Sequence, residues 1–253
     1  GAIKEAKILG KVNVIASSED KKFTYIPKGF TIPTDADYLH ITSNNTIYGT
    51  QYQKFPDSPI PMICDMSSDI LSRPVDVSKF GLIYAGAQKN MGPAGVTLVI
   101  IRNDILKDPG RPLPTMLSYK VHIENNSMYN TPAVYAIYVS MLTLRWIKKM
   151  GGVEAIQRHN QKKAGLLYAE IDRNPLFKGV SEKEDRSVMN VTFVLNKPEL
   201  EEPFNKMISD TSISGIKGHR SVGGYRASLY NALPIESVKA LVEVMQELER
   251  KNG

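Results

Sequence analysis

Lys89 is the residue whose surroundings in this sequence could give it a chemical role. It lies in residues 84–95 (YAGAQKNMGPAG), between two apolar runs at 80–85 and 96–101 that are typical of buried strands. A lysine held near apolar surface loses its proton readily, and the neutral amine can form a Schiff base with an aldehyde. A lysine between strands is more often a solvated loop residue, so a chemical role depends on partners elsewhere in the chain.

Asp65 is the first such partner. Residues 61–64 (PMIC) predict a short buried strand, and Asp65 stands at its carboxyl end, where open parallel sheets bind their ligands. An aspartate in this position could also simply cap the next segment. Together, however, an amine and a carboxylate are what pyridoxal phosphate requires: the amine carries its aldehyde, and the carboxylate keeps its ring nitrogen protonated. Donors of the right type for its phosphate and phenolic oxygen are Ser67, Ser68, Gln88, Asn130 and Thr131.

The remaining periodicity predicts an α/β protein in two units. Apolar residues recur at helical spacing over 131–150, 153–173, 198–209 and 234–251, and helix-forming residues open the chain at 1–7. Further strands are predicted at 11–17, 38–42, 187–195, 214–217 and 226–230. The pattern of predicted helices and strands changes near Gly151 and Gly152. This change predicts a large domain over 1–152 and a small C-terminal domain over 153–253.

Composition narrows the classes of function. The net charge of +6 is spread over the sequence without long basic clusters, so a site for acidic metabolites explains it and no nucleic-acid partner is expected. The single cysteine, Cys64, lies in an apolar run, where a packed core thiol and a reducing, cytoplasmic location are expected. No apolar run approaches the roughly 18 residues of a membrane span. No metal site is predicted.

Four segments, in consistent order and spacing, resemble phosphoserine aminotransferases, which are class-V enzymes of the pyridoxal-phosphate-dependent, fold type I group. They are residues 65–76 (DMSSDILSRPVD), 83–95 (IYAGAQKNMGPAG), 130–132 (NTP) and 218–228 (GHRSVGGYRAS). The resemblance implies an aspartate-aminotransferase-like fold, with a mostly parallel sheet in the large domain and a small C-terminal α/β domain. It also implies transamination between glutamate and 3-phosphohydroxypyruvate, giving phosphoserine and 2-oxoglutarate in serine biosynthesis.

The resemblance also implies roles for individual residues. Lys89 would carry pyridoxal phosphate as a Schiff base and move the substrate's α-proton, and Asp65 would pair with the ring nitrogen. Thr46 would contact the phenolic oxygen, and Gln88 would hold the phosphate. Asn130 and Thr131 would reach the cofactor of the partner subunit, which implies a homodimer with shared active sites.

The glycine-rich segment 218–228 would bind the substrate. By the resemblance, Arg226 grips the α-carboxylate, and His219 with Arg220 helps to bind the distal phosphate or the glutamate side-chain carboxylate. Guanidinium groups match the geometry of both anions. Some relatives also transaminate the phosphorylated hydroxythreonine intermediate of pyridoxine synthesis.

The sequence departs from the family at its start. Family members carry a further segment ahead of the point where this sequence begins, so we expect a piece of a longer aminotransferase that is poorly stable and inactive alone. A noncatalytic dimerisation or ligand-binding fragment is one alternative. Another is a different enzyme of the same fold, such as an alanine–glyoxylate aminotransferase or a cysteine desulfurase, although Cys64 inside a strand is badly placed for a desulfurase.

Overall fold

The computed structural model describes residues 1–107, 110–220 and 222–252 of the chain. Its helices are α1 Ala2–Leu9, α2 Tyr119–Glu124, α3 Val134–Lys149, α4 Gly152–Arg173, α5 Glu201–Asp210 and α6 Ile235–Asn252. Its strands are β1 Leu39–Thr42, β2 Asn44–Asn45, β3 Thr50–Gln51, β4 Met62–Asp65, β5 Leu82–Gly86, β6 Thr97–Ile101, β7 Phe177–Gly179, β8 Asn190–Leu195 and β9 Tyr225–Ser228. The α/β class predicted from the sequence is confirmed.

A four-stranded sheet in the order β1-β4-β5-β6 carries the segments that the sequence singles out. Strands β1, β4 and β5 are parallel, whereas β6 returns antiparallel to β5 directly after the lysine segment. The register places Asp65 between Thr42 and Tyr84, so three strand ends meet at one edge. Cys64 is fully buried in this sheet, and burial raises the pKa of its thiol, as expected for a packed core residue.

A second, three-stranded antiparallel sheet, β7-β8-β9, packs against the later helices. Its apolar face is covered by α4, α5 and α6, and the centre of that core includes Leu167, Phe193, Phe204 and Met245, all fully buried. Four aromatic side chains form a closed ring of contacts, in which Phe177 and Tyr225 each pack against both Phe193 and Phe204, with centroids 5.0–5.8 Å apart. This core fixes β9, and with it Arg226.

Two predicted strands are absent from the described residues. Residues 11–17 alternate as a strand would, but they pair with no neighbouring strand and Val14 is exposed, because alternation alone supplies no ladder partner. Residues 214–217 form only an isolated bridge between Lys217 and Tyr225. The left-handed backbone of Gly215, with φ of +72°, breaks the extended run there. None of the helices in the described ranges is long and apolar enough to cross a bilayer.

Lys163 is a buried lysine on α4 that binds main-chain carbonyl groups of the segment after β9. Its Nζ donates to the carbonyl oxygens of Leu229 at 3.0 Å and Tyr230 at 2.8 Å. Burial lowers the pKa of Lys163 to about 8. The side chain therefore holds the segment that leaves β9, at an electrostatic cost that depends on pH.

We expect the stabilisation of the protein by Lys163 to increase with pH. Between the folded pKa of about 8 and the ordinary value of 10.5, the unfolded chain binds a proton that the folded chain does not. The difference in the free energy of unfolding between wild type and Lys163→Met should therefore rise by about 3 kcal/mol from pH 8 to 10.5, measured by chemical denaturation. Lys162→Met, at the exposed neighbouring lysine, is the control. A flat difference would contradict the expectation.

Candidate active site

Lys89 lies on the connection between β5 and β6. The connection closes with Ala87 N donating to Val96 O at 2.9 Å. At Gly92 it packs closely against Ser140 of α3. A Cβ at Gly92 would lie 2.5 Å from Ser140 Oγ, so only glycine allows this close approach. The prediction that Lys89 stands where two strand ends meet is confirmed.

The amine of Lys89 meets two hydroxyl groups. Lys89 Nζ donates to Thr46 Oγ1 at 3.1 Å and to Ser68 Oγ at 2.5 Å, and the two hydroxyl oxygens are themselves 2.5 Å apart. Thr46 comes from the turn between β2 and β3, and Ser68 from the turn after β4. The structure thus brings together Lys89 and Thr46, two predicted site residues 43 positions apart.

Asp65, the last residue of β4, is half-buried at the same sheet edge. Its Oδ1 accepts from Ser67 N at 2.9 Å, and Ser67 Oγ in turn accepts from Gly86 N at 3.1 Å. The carboxylate is therefore tied to the end of β5, from which the lysine connection departs. Its orientation is fixed by the backbone rather than by another charged side chain.

Tyr84 and His40 lie beside Asp65 on the flanking strands. The Tyr84 hydroxyl is 3.0 Å from His40 Nε2. Burial raises the pKa of Tyr84 to about 12, and the negative charge of Asp65 adds to the rise. Burial lowers the pKa of His40, and Asp65 opposes that shift. His40 and Tyr84 are therefore both neutral near pH 7. Neither side chain places a positive charge beside the Asp65 carboxylate.

Asp69 connects the turn that carries Thr46 with the turn that carries Ser68. It is fully buried and accepts from Ser43 Oγ and from Gln51 Nε2, the latter at 3.0 Å, with Arg73 at 3.8 Å. Burial raises the pKa of Asp69, while the hydrogen bonds from Gln51 and Ser43 act against the rise. The turn carrying Thr46 and the turn carrying Ser68 are therefore held in one position relative to each other.

The other predicted cofactor residues are more exposed. Gln88 folds over Gly86, where a Cβ would lie 2.5 Å from Gln88 Oε1. Asn130 and Thr131 are exposed on the connection before α3. Within the described residues, no hydrogen bond joins either of them to Lys89.

Arg226 is half-buried in β9, at the end of the glycine-rich segment. Gly218 N donates to Gly224 O at 2.8 Å, and a Cβ at Gly218 would lie 1.9 Å from Gly223 O, so the segment folds back on itself as only glycine permits. His219 and the exposed Arg220 stand in that fold, and Ser221 of the motif lies outside the described residues. Arg226 Nε is buried with no hydrogen-bond partner among the described residues.

This donor set fits pyridoxal phosphate and an anionic substrate. A lysine amine, a backbone-oriented carboxylate and hydroxyl donors meet at one sheet edge. In the part of the chain that the structure describes, a buried guanidinium nitrogen lacks a partner. Sequence reasoning singled out Ser68 only as a donor of the right type for the cofactor. Its contact with the lysine amine depends on the fold of the turn after β4, for which the sequence carries no separate signal.

Comparison with known proteins agrees with this chemistry. The class-V aminotransferase family model matches residues 4–241. A phosphoserine aminotransferase of Flavobacterium johnsoniae is 63% identical over 250 residues, which are 99% of this chain and 70% of that relative.

Solved structures give the same result. The phosphoserine aminotransferase of Bacillus circulans subsp. alkalophilus superposes with a TM-score of 0.96 at 49% identity, covering 100% of this chain and 71% of that one. The PLP-bound phosphoserine aminotransferase of Trichomonas vaginalis has a TM-score of 0.91 at 39% identity, covering 97% and 71%.

The alternatives weighed from the sequence are not favoured. Relatives that are 57–63% identical over the matched region are phosphoserine aminotransferases rather than alanine–glyoxylate enzymes. A desulfurase role for Cys64 conflicts with its complete burial and raised pKa. The fold, the meeting of Lys89 with Thr46, and these similarities agree. This chain belongs to the phosphoserine aminotransferases of the class-V aminotransferase family.

Proposed function

We propose that Lys89 carries the cofactor and moves the substrate's α-proton in this aminotransferase. The enzyme transfers the amino group of glutamate to 3-phosphohydroxypyruvate, in the pathway to serine, and its cofactor is pyridoxal 5'-phosphate. The observation that carries the assignment to Lys89 is the position of its Nζ, within hydrogen-bond distance of both Thr46 and Ser68 at the edge where β4 and β5 end.

The chain's own residues divide the work of the reaction. When bound, pyridoxal phosphate supplies an aldehyde carbon and a ring that accepts electrons from the substrate's α-carbon. Lys89 Nζ would hold that aldehyde carbon, and its neutral amine would move the substrate's α-proton as a general base. Thr46 and Ser68 restrict the positions of that amine. Asp65 would keep the proton on the ring nitrogen, Thr46 would contact the phenolic oxygen, and Gln88 would hold the phosphate.

Substrate recognition falls to the segment that ends in β9. Arg226 would bind the α-carboxylate. Its buried Nε, which has no hydrogen-bond partner among the described residues, supports this role because a buried guanidinium donor without an acceptor is costly. His219 and Arg220 would bind the second anionic group. The phosphorylated hydroxythreonine intermediate of pyridoxine synthesis carries the same two anionic groups, so we include it among the proposed substrates.

We further propose a homodimer in which Asn130 and Thr131 reach the cofactor of the partner subunit. Both side chains are exposed on the connection before α3. The adjoining start of α3 exposes Val134 by 65% and Tyr135 by 77%, an apolar surface that a second copy would cover. A cytoplasmic location and a division into domains 1–152 and 153–253 complete the proposal, supported by the single reduced cysteine and by two separate apolar cores.

The shared site predicts that two inactive variants restore activity when they are combined. One subunit carries Lys89→Ala, and the other carries Asn130→Ala with Thr131→Ala. A random mixture of the two, refolded together, should recover about one quarter of wild-type activity, because half of the dimers are hybrids and each hybrid has one intact site of two. The readout is turnover per subunit, with each variant alone as control. A mixture no more active than the variants alone would contradict the shared site.

A further inference from the structure

The turn that follows β4 is held by three buried asparagines. Three consecutive main-chain carbonyls in this turn each accept a hydrogen bond from the side-chain amide of a different asparagine. The pairs are Asn90 with Ile70 at 3.0 Å, Asn231 with Leu71 at 3.0 Å, and Asn160 with Ser72 at 3.2 Å. We call Asn90, Asn160 and Asn231 the asparagine clamp.

The members of the clamp also bind each other. Asn90 Oδ1 accepts from Asn231 N at 3.0 Å, and Asn231 Oδ1 accepts from Asn160 Nδ2 at 2.8 Å. Their exposed fractions are 3%, 6% and 0% for Asn90, Asn231 and Asn160. Buried polar groups joined in this way are costly to disturb, because each lost partner leaves another group unsatisfied.

The turn itself needs such support. Leu71, at its centre, has φ of +59°, a left-handed conformation that is unfavourable for a leucine. The same turn presents Ser68 to the amine of Lys89. A change in the backbone at Leu71 would therefore shift Ser68, whose Oγ accepts a hydrogen bond from the amine of Lys89.

The clamp joins parts of the active site that belong to different sheets. Asn90 directly follows Lys89, and Asn231 follows the strand that carries Arg226. Lys163 fixes the intervening carbonyls of Leu229 and Tyr230 from α4. One hydrogen bond, from Asn231 N to Asn90 Oδ1, thus spans 141 positions of sequence between the lysine connection and the substrate strand.

We propose that Asn90, Asn160 and Asn231 are positioning residues that fix the amine of Lys89 relative to the guanidinium of Arg226. The inference rests on the roles proposed above for those two residues. The rate of proton transfer depends steeply on the distance between the Lys89 amine and the substrate's α-carbon. The affinity of Arg226 for the substrate carboxylate does not depend on that distance. Loosening the clamp should therefore slow the chemical step and leave substrate affinity nearly unchanged.

The test is Asn231→Ala in the holoenzyme. This variant keeps the backbone donor to Asn90 but removes the amide that binds Leu71 and Asn160. We expect kcat per bound cofactor to fall on the order of 10- to 100-fold, with the KM for glutamate changed less than about threefold. Hydrogen exchange of the amides of Asp69, Ile70 and Ser72, measured without cofactor, should become faster.

Asn174→Ala is the matched control. Asn174 is 2% exposed and its side chain also caps a main-chain carbonyl, that of Met245, but it lies in the core of the second sheet. It should lower stability without changing kcat per bound cofactor or the exchange of residues 69–72. If Asn231→Ala does not fold, Asn160→Ala takes its place under the same criteria, because it leaves the contacts of Asn231 with Asn90 and Leu71 intact.

Three outcomes would overturn the proposal. They are kcat per bound cofactor within twofold of wild type, a raised KM with unchanged kcat, or unchanged exchange at residues 69–72. A wrong assignment of Lys89 would show separately, as retained turnover in Lys89→Ala, whatever the exchange result.

Discussion

Lys89→Ala is expected to lower transamination by at least about 10³-fold, because the variant loses both the group that holds the cofactor and the base that moves the α-proton. After addition of the cofactor, the Lys89→Ala variant should also lack the visible absorption band of the lysine Schiff base. In wild type, borohydride reduction followed by peptide mass analysis should place the cofactor on Lys89. These three readouts are independent of one another, since they follow turnover, light absorption and a covalent mass.

Lys79→Ala is the control for that experiment. Lys79 is a surface lysine paired with Asp57 at 2.9 Å, and exposed ion pairs of this kind contribute little to stability. Activity and absorption should stay at the wild-type level. Full turnover of Lys89→Ala, or reduction that labels another lysine, would rule out the proposed role of Lys89.

Asp65→Asn is expected to reduce kcat on the order of 10²- to 10³-fold, the usual effect of removing one oriented electrostatic group. The amide has the same shape, and its oxygen still accepts from Ser67 N, so the turn after β4 should persist. What disappears is the negative charge that keeps a proton on the cofactor's ring nitrogen. Steady-state kinetics at saturating substrate give the readout, and circular dichroism checks the fold.

Asp57→Asn removes a comparable charge from the surface, where the side chain of Asp57 is 82% exposed. It should leave kcat unchanged. An Asp65→Asn enzyme within threefold of wild type would show that the carboxylate does not act on the cofactor, even though it lies at the same sheet edge as Lys89.

The local pattern was sufficient to predict the strands around the site. Apolar runs bounded by polar or glycine residues predicted β4, β5 and β6 to within two residues, and Asp65 was placed at the end of β4. Strands β4 and β5 are largely buried, whereas β6 exposes Thr97 and Ile100, so the burial expected of the run at 96–101 was wrong. In all three strands the signal is a continuous apolar run, which needs no partner to be recognised. Helices α3, α4 and α6 were predicted for a similar reason, because their apolar residues recur at the spacing of a helical turn.

The local pattern failed where pairing decides the structure. Residues 11–17 have strand-like alternation but pair with no strand, and β7, which was not predicted, is three residues long and exists through its pairing with β8. A short segment gains its ladder hydrogen bonds only if another segment reaches it. No window of sequence around either segment contains that information.

The chemical types at the site could be predicted from the sequence: one lysine on a strand connection, one aspartate at a strand end, and a glycine-rich segment with Arg226. These follow from residue identity and short-range periodicity, which act over a few positions. The tertiary structure alone decided that Ser68 meets the amine of Lys89 and that Asn90 binds Asn231. Those contacts depend on how two sheets pack and on how a strained turn at Leu71 is held, and packing is a property of residues distant in the chain.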